Sequence, residues 1–156
     1  MGLFSFLKGS GSKLLDKKTE AKATTVSADE VKRLKIEKMT KAVNDLKLPV
    51  KDLSLILNND VVTVFGQAET QVAKELVILT LGNNSDIASV DDRMSVVKPE
   101  PEATFYEVKP GDSLSKIAKA QHGDAMKYNT IFEANKPMLK DPNLIYPGQM
   151  LRIPKL

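Results

Sequence analysis

Few side chains in this sequence are of types and spacings that support covalent or acid–base chemistry. The single histidine, His122, lies in Ala120-Gln-His-Gly123, which reads as the end of a helix. A general base needs a nucleophile or an orienting acid within reach, and none is fixed beside His122 in the sequence. At a helix C-terminus such a histidine serves as a favourable charge or a packing residue. Asp91-Asp92 is a paired carboxylate, but it falls in a predicted strand. Adjacent strand side chains point to opposite faces, so the two cannot easily share a substrate. There is no cysteine, which excludes disulfides, thiolate metal sites and cysteine nucleophiles. No Asp-x-Asp-x-Asp-Gly loop suited to Ca²⁺ is present. These residue types describe a binding protein and not an enzyme.

The elements that would position a binding site can be read along the chain. With 156 residues, 42% apolar and 28% charged, there is room for two small globular domains. Charge is unevenly spread. Residues 1–27 carry five Lys against two acids, residues 28–97 nine basic against eleven acidic groups, and residues 104–156 eight basic against five acidic groups. No segment is basic enough for nucleic acid, and no aromatic residues interleave with a basic stripe. No stretch is long enough to span a bilayer. The apolar run Leu3–Leu7 is too short for a signal-peptide core and lacks a preceding basic region. Gly2 lacks the Ser or Thr that a myristoylation motif wants at the sixth position, where Phe6 stands. The absence of cysteine leans the same way. The expectation is a monomeric protein that stays in the cytoplasm.

Residues 1–27 read as a helical or irregular head and connector. The cluster Leu3, Phe4, Phe6 and Leu7, with Leu14 and Leu15, is costly to leave in water and should dock on a folded domain. Residues 28–97 read as αββαβ. Ser27-Ala-Asp-Glu30 has capping-box spacing, and Val31, Leu34, Met39, Ala42, Val43 and Leu46 recur at helical intervals up to the break at Pro49. Leu53, Leu55 and Leu57 alternate as a strand, Asn58-Asn59-Asp60 turns, and Val61–Phe65 returns to a close at Gly66. A helix over 68–81 places Val72, Leu76, Leu79 and Thr80 on one face, with Gly82 as its C-cap. The third strand, Ile87–Val97, has period-two character around Val90, Arg93 and Val96. Lys98-Pro-Glu-Pro-Glu-Ala103 reads as a semi-rigid linker.

The last stretch, 104–156, runs strand, turn, helix, helix, strand. It begins Phe105-Tyr-Glu-Val-Lys-Pro-Gly-Asp-Ser-Leu114 and ends Leu144-Ile-Tyr-Pro-Gly-Gln-Met-Leu-Arg-Ile-Pro154. This closely resembles a LysM domain, the βααβ module that typically binds N-acetylglucosamine polymers such as peptidoglycan. The resemblance implies a groove formed by Gly111, Asp112, Ser113 and Leu114 together with Asn135, Ile145, Tyr146 and Pro147. Each of these also has a structural use: Gly111 for a turn, Asp112 or Ser113 as a helix cap, Asn135 to hold a loop, and Pro147-Gly148 for a tight turn. Residues 28–97 resemble a BON domain, carried by Val64-Phe-Gly66, the helix after it and Ile87-Ala-Ser-Val-Asp-Asp92. Such domains are associated with phospholipid interfaces, protein contacts and osmotic stress.

The whole chain resembles the bacterial potassium-binding protein family. The most specific parts are Met1–Phe4 with Lys8, Gly11 and Lys13-Leu14, then Leu81-Gly-Asn83 with Ile87–Asp92, then Ile131–Lys140. That resemblance implies a small cytoplasmic stress-response sensor that binds K⁺ and compacts on binding, with K⁺ as its ligand. Selective K⁺ sites use rings of carbonyl oxygens, which need irregular backbone. Gly9-Ser-Gly-Ser12 and Gly82-Asn-Asn-Ser-Asp-Ile87 supply it. The resemblance implies the backbone carbonyls of Leu7, Ser10, Ser12, Gly82, Asn84 and Ile87 as ligands. The alternative is a cell-envelope protein that meets peptidoglycan, or a protein partner, through LysM.

Overall fold

The computed structural model describes residues 2–6, 28–84 and 86–155. Their elements are β1 (Gly2–Ser5), α1 (Ala28–Asp45), β2 (Val50–Asn58), β3 (Val61–Thr70), α2 (Gln71–Gly82), β4 (Ser89–Lys98), β5 (Thr104–Glu107), α3 (Leu114–His122), a 3₁₀ turn (Ala125–Lys127), α4 (Tyr128–Ala134) and β6 (Met150–Ile153). The fold is α+β, as expected, in two small domains. One is built on a four-stranded sheet ordered β1-β4-β3-β2, the other on the pair β5-β6. Each has its own buried cluster.

The first sheet combines a β2-β3 hairpin with a parallel β3-β4 pair joined through α2. Leu55 and Leu57 on β2, Val62 and Val64 on β3, and Val90 and Met94 on β4 face Met39 and Val43 of α1 and Ala73, Val77, Ile78 and Leu81 of α2. Asp29 and Glu30 suit the positive end of α1; the proposed cap Ser27 lies outside the described residues. Asn59 turns the hairpin with φ 56°, a conformation asparagine tolerates.

Several local expectations are corrected. Gly66 does not end β3, which continues to Thr70. The partner strand bulges between Lys51 and Ser54, and a Cβ on Gly66 would stand 3.1 Å from Lys51 O. The glycine therefore admits the bulged backbone. On β4 the inward set is Val90, Asp92 and Met94, while Arg93 points outward. Residues 2–5 form a strand instead of an irregular or helical head. β1 lies antiparallel on β4, pairing Gly2 with Asp92 and Ser5 with Ser89. An uncovered strand edge offers a row of unpaired amides and carbonyls, and alternation sends Phe4 and Phe6 onto the core while Leu3 stays exposed. Of the apolar cluster, Phe4 and Phe6 dock as expected, through strand pairing; Leu7, Leu14 and Leu15 lie outside the described residues.

The helix α2 is buried almost all round: Ala73, Val77, Ile78 and Leu81 meet the sheet, while Glu75, Leu76 and Leu79 are buried outside that cluster. The expected single face of Val72, Leu76, Leu79 and Thr80 is thus the side away from the sheet core. An apolar helix with no solvated face is one covered on both sides, and the C-terminal domain supplies the second cover. The Glu75 carboxylate accepts the Ala103 amide at 3.1 Å and pairs with Arg152 at 3.3 Å. The Phe4 and Phe105 rings lie 5.3 Å apart, tilted.

Candidate functional site

The end of α2 is where backbone carbonyls leave the helical ladder. Asn83 is the C-cap, its amide donating to Leu79 O at 2.9 Å. The buried side chain of Asn84 turns back on the helix: its Nδ2 donates to Thr80 O at 3.0 Å and Leu81 O at 2.8 Å. Two orphan carbonyls of the last turn are thereby satisfied. The Ile87 amide donates to Asn84 O at 3.1 Å, and Ala88 and Ser89 donate to Asp60 O. Among the described residues, Gly82 O and Ile87 O accept no hydrogen bond. Asn84 O keeps a second lone pair. Gly82, Asn84 and Ile87 are thus gathered in one turn at the negative end of a helix dipole.

The head reaches this turn directly. The Phe6 amide donates to Ala88 O at 2.8 Å, and its ring occupies the space beside Gly82, where a Cβ would stand 2.1 Å from Phe6 Cζ. Gly82 is consequently the last helical residue and not the C-cap expected; glycine is required there for room. Leu7, Ser10 and Ser12 lie outside the described residues. Nearby carboxylates are engaged elsewhere: Asp86 with Lys35 at 3.5 Å, Asp91 with Arg93 at 3.2 Å. No group of three His, Cys, Asp or Glu suited to a metal occurs among the described residues. The donor set at the turn is one of neutral carbonyls, which fits a monovalent, weakly hydrated cation better than a divalent one.

In the C-terminal domain the expected groove residues are largely committed to the fold. Ser113 caps α3, accepting the Lys116 amide. Asp112 accepts from Tyr106 Oη at 2.6 Å and the Lys109 amide at 2.9 Å. The Tyr106 bond, then that amide, hold the Asp112 carboxyl below its usual range. In return the same bond, with desolvation, pushes Tyr106 up to about 12. Leu114 is core, and Ile145 packs on it. Asn135 is fully buried, donating to Ile131 O and Arg152 O and accepting the Arg152 amide. Gly111, with φ 86°, Ser113 and Pro147 are exposed. Tyr146 is half-buried, and desolvation raises its hydroxyl.

Residues 106–154 match the LysM domain family. The potassium binding protein Kbp of Escherichia coli O6:H1 is 43% identical over 156 residues, covering 99% of each chain. The chain belongs to the Kbp family. An uncharacterized protein of Deinococcus radiodurans is 57% identical over 51 residues, 33% of this chain and 19% of its own. The Kbp match takes in the head, the sheet domain and LysM together, so the juxtaposition of β1, α2 and β6 lies wholly inside the family's shared length.

The other sequence candidates resolve into structure within this Kbp-family fold. Asp92 is 1% exposed and pairs with Lys74 at 2.8 Å while accepting the Met94 amide. Asp91 faces the opposite side. His122 ends α3, with its Nε2 buried and unpartnered among the described residues. Phe6 belongs to the expected docking cluster, though not as a strand residue; the side chains of Asn83 and Asn84, which organise the turn, are not foreseen. The alternation of Leu3, Phe4, Ser5 and Phe6 was the available signal for a strand. The carboxamides carried none, because asparagine after a helix reads equally as a turn residue.

Proposed function

We propose that this chain is a cytoplasmic K⁺ sensor. It binds the ion through the backbone carbonyls of Leu7, Ser10 and Ser12 from the head and of Gly82, Asn84 and Ile87 from the α2 turn. The observation that carries the reading is Phe6 seated on Gly82 and bonded to Ala88, which delivers the head to a turn where, among the described residues, Gly82 O and Ile87 O accept no hydrogen bond. The relative matched over 99% of each chain is a potassium binding protein, which supports the ligand. An ion shared by head and turn favours the docked form and stabilises it by mass action, and compaction follows. The test is thermal unfolding by far-UV circular dichroism, with small-angle scattering, in KCl, NaCl and LiCl at equal ionic strength. A K⁺-specific rise in melting temperature with a smaller radius of gyration is expected; identical behaviour in the three salts refutes the proposal.

A second reading has its own observation, the LysM match, with Gly111, Ser113 and Pro147 exposed. Under it the domain holds N-acetylglucosamine polymers. Co-sedimentation with purified peptidoglycan tests it. Protein left in the supernatant assigns LysM a scaffolding role.

A further inference from the structure

We infer that Asn83 is a positioning residue for the ion site and that the LysM domain braces that site through it; the inference rests on the K⁺ reading above. Asn83 lies between two of the carbonyl donors, yet its side chain leaves the turn and meets the main chain of β6. Nδ2 donates to Met150 O at 3.0 Å and Oδ1 accepts the Met150 amide at 2.9 Å. A carboxamide bonded both ways to one residue reproduces a rung of strand pairing. Two residues on, Asn135 does the same to Arg152, from within LysM. β5 covers one edge of β6. The other edge is closed at alternate residues by two asparagines, one from each domain.

The geometry at Asn83 explains why this matters for the ion. Gly82 C=O and Asn83 N–H belong to one rigid peptide plane. Its N–H is pinned to Leu79 O, and the Asn83 Cα that ends it is pinned through the side chain to β6. The direction of the Gly82 carbonyl is thereby fixed from outside the site, and the Asn84 peptide follows from the same Cα. Glu75, two turns earlier on the same helix stripe, ties α2 to Arg152. β6 therefore lies along α2 like a splint, attached at residues 150 and 152. Carbonyls held in place before the ion arrives need less ordering on binding. By linkage, the ion tightens LysM docking by the same factor that docking tightens the ion.

The protein carries a natural reporter of this coupling. It has no tryptophan, and its three tyrosines, Tyr106, Tyr128 and Tyr146, all lie in LysM. Tyr146 lines, with Asn83, Asn84, Leu144 and Gln149, a cleft of about 460 Å³ between the domains. Full-length wild type, Asn83→Ala and the similarly sized Asn83→Leu are titrated with KCl and with NaCl at constant ionic strength. Tyrosine fluorescence reads LysM, amide NMR shifts read the α2 turn, and circular dichroism confirms folding. The expected result is a K⁺ midpoint raised about tenfold with the loss of both bonds, a smaller K⁺/Na⁺ ratio, and a tyrosine response that no longer tracks the turn. Should Asn83→Ala fail to fold, Asn83→Leu carries the same test. A wild type without a K⁺-specific response overturns the K⁺ reading and this one with it. A wild type that responds, with midpoint and selectivity unchanged in a folded variant, overturns the brace alone.

Discussion

Gly82→Ala separates space from conformation at the head–turn contact. Gly82 ends α2 without a left-handed φ, so alanine meets no backbone strain. By helix propensity alone the change is favourable by roughly 0.5–1 kcal/mol. The new Cβ, however, would stand 2.1–2.3 Å from three ring atoms of Phe6, where ordinary carbon contacts begin near 3.5 Å. The ring has to move by more than an ångström. Its strand bond to Ala88 leaves rotation outward as the cheapest escape. A half-buried phenylalanine then loses about 1–2 kcal/mol of burial. The net change in the wild-type background is a loss of about 0.5–1 kcal/mol, with a weakened K⁺ response. In a Phe6→Ala background the obstacle is gone, and Gly82→Ala should turn stabilising by roughly 0.5–1 kcal/mol. The coupling energy of the cycle is therefore about 1–2 kcal/mol. Urea unfolding of the four proteins, with a K⁺ titration of each, measures it. If Gly82→Ala stabilises equally in both backgrounds, Phe6 does not sit on the helix end and the head is not delivered to the turn as argued.

Three further outcomes follow from other contacts. Asp92→Ala strands a buried Lys74 and the Met94 amide and should cost about 3–5 kcal/mol in urea unfolding, with Lys74→Met plus Asp92→Leu recovering most of it; a loss under 1 kcal/mol for the single change contradicts the buried pair. The Tyr106–Asp112 bond gives LysM two pH limits. Tyr106, raised to about 12, contributes stability that is intact below its ordinary value near 10 and lost between there and 12. Asp112, lowered, contributes stability present above the ordinary carboxylate range and lost as pH falls through its depressed value. Tyr106→Phe should remove the alkaline limit, together with the Tyr106 phenolate step in an ultraviolet titration, and weaken the acid limit, which the Lys109 amide still supports; an unchanged titration curve counts against the bond. Asn135→Ala removes three bonds from a fully buried site and should destabilise LysM by about 3 kcal/mol, seen as a lowered urea midpoint by tyrosine fluorescence; an unchanged midpoint counts against the buried bonds.

The fold was legible wherever periodicity and punctuation agreed. Leu55 and Leu57, the Asn59 turn, Met39 with Val43, and Ser113 before α3 declare themselves through spacing and capping chemistry. The errors occur where one residue type serves two geometries. Gly66 and Gly82 both read as terminators, yet one admits a bulge and the other admits an aromatic ring from about 75 residues away. Their reasons lie in partners that local sequence does not reveal. The candidate turn was legible as irregular backbone after a helix, but its stability was not. Asn84 facing back onto the helix and Asn83 facing out to β6 are adjacent, identical in type and opposite in task.

The same argument changes what the LysM signature means in this chain. A two-stranded sheet is marginal unless something packs on it or closes its edge. Here α3 and α4 pack on the pair from within LysM, and the N-terminal domain adds α2 and the Asn83 rung on the edge of β6. Conversely, α2 is too apolar to stand in water on its outer side and acquires its second cover from LysM. Neither domain is complete along this seam without the other, and the carbonyl-bearing turn lies at its end. The motif residues that a saccharide would address, Asp112, Ser113 and Asn135, already have internal hydrogen-bond partners. A module whose open strand edge closes on its neighbour adds rigidity along that seam. Rigidity at the α2 end lowers the ordering that the proposed carbonyl ligands would have to undergo when an ion binds.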